Sequence, residues 1–181
     1  ERGLAVVPPY DHPHVIAGQG TVGLELVEDR PDVSVVLVPV GGGGLASGVA
    51  TAVKGLLPAA RVIGVEPELA ADARDSLRAG ELRPLDTEAA YRTAADGLRT
   101  ALSQLTLDHL LARVNDIVTV TEAEIRDATR ALLRQARLVV EPSGAVTTAA
   151  YLRLRERFPG HVVAVVSGGN IDPALLRELA T

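Results

Sequence analysis

The sequence predicts an α/β fold, with a largely parallel sheet and helices on both of its faces. Three observations predict it. Apolar, valine-rich runs at residues 33–40, 61–66 and 161–166 read as strands buried on both sides. Segments of helical period separate them, and parallel strands need such crossovers. Two of the runs end in glycine turns, Gly41-Gly42-Gly43-Gly44 and Ser167-Gly168-Gly169-Asn170, each followed by a helical segment. The 181 residues suffice for one domain, and neither a repeat nor a low-complexity linker divides them.

The elements follow in order. Residues 21–28 read as a short helix stopped before Pro31, after His12-Pro13-His14 in a loop. The strand at 33–40 leads through the four glycines into a helix at 45–57, closed by Pro58. A strand at 61–66 precedes a helix at 70–79 that Gly80 ends, and residues 81–97 are polar and irregular. A helix at 105–113 and a short strand at 116–120 come next. Thr121 and Glu124 have capping-box spacing, opening a helix to about Arg137. Residues 138–140 are extended, and Glu141-Pro142-Ser143-Gly144 leads into a helix ending near Phe158. After the strand at 161–166, Asp172 at the N-cap and Pro173 at the first position open the last helix.

Residues 33–53 carry no charge and would be long enough to cross a bilayer, but four central glycines break any such helix. No membrane is expected as a partner. The net charge of −5 and only four aromatics (Tyr10, Tyr91, Tyr151, Phe158) offer little to a nucleic acid. The absence of Cys excludes a disulfide scaffold, thiolate zinc and cysteine catalysis. His12, His14, His109 and His161 have no closed metal-ligand spacing. Glu1-Arg2-Gly3 does not open a signal peptide, so a cytoplasmic setting is expected. With no Met in the chain, the reading expects these residues to begin inside a longer frame.

Glycines between a strand and a helix N-terminus let backbone N–H groups close on an anion. The turn is not a P-loop, since no Gly-Lys-Ser/Thr follows, and four consecutive glycines break the dinucleotide fingerprint. It reads either as a phosphate cradle built from backbone alone or as a tight turn without a ligand. Both glycine turns lie at strand carboxyl ends, the edge where open α/β sheets bind ligands.

Together these segments resemble the serine/threonine dehydratases and serine racemases. The resemblance is carried by Ile16-Ala17-Gly18-Gln19-Gly20-Thr21, Val38-Pro39-Val40 with the four glycines, and Ile63-Gly64-Val65-Glu66-Pro67. It continues through Ala95-Asp96-Gly97, the run from Asp116 to Thr121, Glu141-Pro142-Ser143-Gly144-Ala145 and Ser167-Gly168-Gly169-Asn170-Ile171-Asp172. These are fold-type II pyridoxal-phosphate enzymes, so the resemblance implies the large-domain part of the tryptophan-synthase-β-like fold. It further implies that Gly41, Gly42, Gly43, Gly44 and Leu45 cradle the cofactor phosphate and that Ser167 faces the pyridine nitrogen. The alternative for Ser167 is an ordinary capping serine. Glu66, Ala70 and Asp72 fall where racemases and some dehydratases hold a cation, and these oxygen ligands suit Mg²⁺ or Ca²⁺. The alternative is acidic residues favoured by a helix dipole.

The family's Schiff-base lysine lies in an N-terminal motif that this sequence lacks. The lone lysine, Lys54, is ten residues beyond Gly44 on the same helix, about 15 Å from its start, and reads as a C-terminal cation. Residues 1–181 are therefore expected to be the C-terminal part of a dehydratase-like domain. The implied activity is threonine/serine ammonia-lyase, acting on a small amino acid. Serine racemase is the alternative, and a non-catalytic cofactor-binding or interaction module is the alternative of another class. Exposed apolar surface is expected, with homo-oligomerisation or association with the missing N-terminal half.

Overall fold

A computed structural model describes residues 3–180, so Glu1, Arg2 and Thr181, including the leader reading at the N-terminus, lie outside the description. The elements run α1 (Pro13–Asp29), β1 (Val33–Pro39), α2 (Gly44–Leu56), β2 (Arg61–Pro67), α3 (Asp72–Ala79), α4 (Thr87–Ala90), α5 (Gln104–Arg113), β3 (Asp116–Val120), α6 (Glu122–Ala131), α7 (Pro142–Leu154), β4 (His161–Ala164) and α8 (Pro173–Ala180). The strands form one parallel sheet in the order β3-β2-β1-β4. The chain builds β1, β2 and β3 outward in one direction, then returns to place β4 on the other side of β1. The crevice between the ends of β1 and β4 is therefore the topological switch point, where such sheets bind ligands.

Alternation along β1 divides the core. Val36 and Val38 pack toward α2, α3 and α5, while Val35 and Leu37 pack toward α6 and α7. All four are fully buried, as strands covered on both faces require. Helices do lie on both faces.

Several details differ from the sequence reading, among them α3, which starts at Asp72, and α7, which ends at Leu154. The first helix starts at Pro13, eight residues early, with the His12 side chain accepting the His14 N–H at 3.1 Å as the N-cap. Its glycines disfavour a helix locally, but they let α1 lie directly on α2. A Cβ at Gly48 would fall 2.3 Å from the Ile16 carbonyl oxygen and 2.6 Å from the Gly20 nitrogen. Tertiary packing outweighs propensity there. Within the irregular stretch, Asp86 caps the short α4 by accepting the Ala89 N–H. The helix expected to reach Arg137 is α-helical to Ala131, continues as a π turn over Leu132–Ala136, and stops at Arg137 with φ 60°. The last strand ends at Ala164, although Val165 still donates to the Leu37 carbonyl.

The contact between α1 and α2 makes the first prediction. Gly48→Ala should destabilise the fold by about 1–3 kcal/mol, because backbone atoms cannot yield to the new methyl. Gly55→Ala on the same helix meets open space and should stabilise it by about 0.5–1 kcal/mol. Denaturant unfolding of both variants checks this, and equal shifts would contradict the packing described.

Candidate functional site

The turn after β1 is built from residues 41–44, all buried. Gly43 is left-handed at φ 88°, and a Cβ there would sit 2.8 Å from both Leu102 Cδ2 and Thr106 Cβ. A Cβ at Gly42 would meet the Tyr10 ring at 2.5 Å, and one at Gly44 would meet Tyr10 Cβ at 2.8 Å. The protein's own atoms thus exclude side chains here, whether or not a ligand is bound. Among the described residues, none of the amide N–H groups of Gly41, Gly42, Gly43, Gly44 or Leu45 donates to a backbone or side-chain acceptor. The first turn of a helix leaves such N–H groups unpaired and adds the positive end of its dipole. The turn presents a set of N–H donors with no protein acceptor among the described residues.

These groups open on a cavity of about 320 Å³ at the switch point. Ser167, from the turn after β4, lines it from the other side, and its hydroxyl makes no hydrogen bond among the described residues. The structure therefore brings Gly41, Gly42, Gly43, Gly44, Leu45 and Ser167 to one cavity. A groove of about 360 Å³ between α1 and α2 is slightly larger, but its lining is mostly apolar, with His109 as its lone titratable group. It has no comparable set of unpaired donors.

Sequence reasoning had left several lining residues without a role. Tyr10 covers the glycine turn, and its hydroxyl donates to the Ala101 carbonyl at 3.0 Å. The Glu141 carboxylate accepts the Asn170 N–H at 2.8 Å and so holds the second glycine turn. Gly97 donates its N–H to the Ser143 hydroxyl at 2.9 Å. The Asp96-Gly97 and Glu141-Pro142-Ser143 segments were visible as motifs, but nothing in their order showed which cavity they line.

Glu66 and Asp72 lie together at the end of β2 and the start of α3. Glu66 is fully buried, accepting the Ala73 N–H at 3.0 Å and the Arg74 N–H at 2.8 Å, and thereby caps α3. Burial above all, then the charge of Asp72, pushes its carboxyl up to about 8 against those two hydrogen bonds. Asp72 accepts the Leu102 N–H at 3.1 Å and is also raised, chiefly by burial. The Ala70 carbonyl between them accepts no hydrogen bond among the described residues. No group of three or more His, Asp or Glu side chains stands ready for a metal ion among the described residues. Lys54 donates to the carbonyls of Pro58 (3.4 Å) and Ala60 (2.7 Å), at the opposite end of α2 from the cavity.

The chain is similar to known proteins over most of its length. The profile of the pyridoxal-phosphate dependent enzymes matches residues 1–168. L-threonine ammonia-lyase of Thermotoga maritima is 46% identical over 180 residues, covering 99% of this chain and 44% of the relative. Serine racemase of Schizosaccharomyces pombe is 40% identical over 173 residues, covering 94% of this chain and 53% of that one. A crystal structure of a T.th. threonine deaminase superposes with a TM-score of 0.87 at 48% identity, over 91% of this chain and 61% of that chain. The chain spans about half the length of the curated relatives it matches. No helix among the described residues is long and apolar enough to cross a membrane.

If the unpaired amides form an anion site, titrating inorganic phosphate into ¹⁵N-labelled protein should shift the amide resonances of residues 41–45 more than any others. Shifts centred at another surface would contradict the assignment.

Proposed function

The chain belongs to the pyridoxal-phosphate dependent enzyme family, and we propose that it is the C-terminal part of an ammonia-lyase acting on L-threonine or L-serine. The overall reaction releases a 2-oxo acid and ammonia. The observation that carries the reading is the set of unpaired amides at residues 41–45 facing the free Ser167 hydroxyl across one cavity. Relatives named for threonine ammonia-lyase and threonine deaminase, at 46% and 48% identity, support the substrate class.

The donors present fit pyridoxal phosphate. Gly41, Gly42, Gly43, Gly44 and Leu45 would hold its phosphate, with Tyr10 covering the turn. Ser167 would face its pyridine nitrogen. When bound, the cofactor draws electrons from the α-carbon of the amino acid, which allows the β-hydroxyl to leave. A hydroxyl at the nitrogen, unlike a carboxylate, does not hold a proton there, and this tempers the electron demand. Glu141 keeps the second glycine turn, and so Ser167, in place through Asn170. The covalent anchor is not among these residues, because Lys54 is committed to two carbonyls at the far end of α2.

The same proposal includes association with an N-terminal half. Among the described residues β4 pairs only with β1, and Val166 after it and Leu138 and Val139 before α7 are exposed. Covering such surface yields about 25 cal/mol per Å² of apolar area. A homo-oligomeric assembly, argued from exposed apolar surface, and a cytoplasmic setting also belong to the proposal. Glu66, Asp72 and the free Ala70 carbonyl would take Mg²⁺ or Ca²⁺, hard ions suited to oxygen ligands, with water completing the shell.

Two tests follow. The isolated chain with pyridoxal phosphate should release no 2-oxobutanoate from L-threonine above free cofactor. Co-expression with the N-terminal half of a relative should restore release. Turnover by the isolated chain that disappears in Lys54→Ala would contradict the reading. For the cation, Mg²⁺ or Ca²⁺ should raise the melting temperature, since a ligand bound only to the folded state stabilises it. The Glu66→Gln/Asp72→Asn double variant should lose that rise, and an undiminished rise would place the metal elsewhere.

A further inference from the structure

One wall of the cavity is formed by Gly97, Leu98 and Thr100, in a loop whose regular structure is a single 3₁₀ turn at Asp96–Leu98. Side chains from two helices hold this loop from outside. The Glu122 carboxylate, in the first turn of α6, accepts the Ala94 N–H at 2.7 Å through Oε2 and the Thr93 hydroxyl through Oε1. Thr93 is 1% exposed, and its oxygen also accepts the Ala95 N–H at 3.2 Å. From α7, the Ser143 hydroxyl accepts the Gly97 N–H at 2.9 Å.

Two features separate Glu122 from ordinary helix capping. The capping box of α6 is complete without it, since Thr121 and Glu124 satisfy each other. Glu122 also does not line the cavity, so its influence passes through the loop. The chemistry calls for two acceptors at this point. The Ala94 N–H is a fixed donor, and the Thr93 hydroxyl, with one lone pair taken by Ala95, still has a proton to place. An ionised carboxylate supplies both oxygens, and the N-terminus of α6 favours its charge.

We propose that Glu122 is a positioning residue: by gripping Thr93 and Ala94 it sets the Gly97–Leu98–Thr100 wall against which the cofactor lies. The inference rests on the reading of this cavity as the cofactor site. A wall displaced by about 1 Å would loosen contact with a rigid ring and phosphate.

The test uses the 181-residue chain and pyridoxine 5′-phosphate, which has no aldehyde and forms no Schiff base with a stray amine. Its dissociation constant is measured for the unsubstituted chain, Glu122→Ala, Glu122→Gln and Glu124→Ala, alongside amide hydrogen exchange and melting temperature. Glu122→Ala should weaken binding about tenfold, the loss of roughly one hydrogen bond's worth of positioning, and speed exchange at Ala94, Ala95 and Gly97. Glu122→Gln keeps an acceptor for Ala94 and should return the constant to within about threefold. Glu124→Ala breaks the capping box and should lower the melting temperature, yet leave binding within about twofold. The proposal is overturned if Glu122→Ala weakens binding no more than Glu124→Ala, or if exchange at residues 94–97 is unchanged. Failure of the unsubstituted chain to bind would refute the cofactor reading itself, and exchange alone then decides whether Glu122 holds the loop.

Discussion

Five backbone N–H groups at the turn between β1 and α2 have no acceptor within the described protein, and the surrounding atoms leave no room for side chains that could supply one. Much of the site follows from that constraint. Tyr10 lies against Gly42 and Gly44, Leu102 and Thr106 press on Gly43, and the helix dipole of α2 points its positive end into the same space. These donors face one cavity at the positive end of α2, an arrangement that favours negative charge.

Sheet topology then decides what else reaches that cavity. Because β4 returns beside β1, the Ser167 turn arrives at the same crevice as the glycine turn, with Glu141 and Ser143 at the start of α7 completing the floor. One end of the cavity carries the unpaired amides of the glycine turn and the other the Ser167 hydroxyl. The lone lysine is at the far end of α2, where it donates to the Ala60 carbonyl. Among the described residues, β4 has one neighbour in the sheet.

The sequence made some of this legible and not the rest, for physical reasons. Strands β1 and β2, both glycine turns and the Asp172 cap of α8 depend on local pattern, and they stand where the residues predict them. The start of α1 was hidden because its glycines make a poor helix alone and a good one only against Gly48 of α2. The capping of α3 by Glu66 was not visible either, since its two oxygens accept N–H groups seven and eight residues away. Glu122 drew no notice at all, since its contacts lie 28 and 29 residues distant and no spacing rule spans such gaps. The switch point between β1 and β4 is a property of strand order, which composition and periodicity do not encode.

The most direct measurement of the central claim is a crystal structure of the chain with pyridoxine 5′-phosphate. The account predicts phosphate oxygens within about 2.7–3.2 Å of the amide nitrogens at residues 42–45, and the ring nitrogen within hydrogen-bond reach of Ser167 Oγ. Phosphate bound at any other surface, with the amides of residues 41–45 turned to protein acceptors, would contradict it.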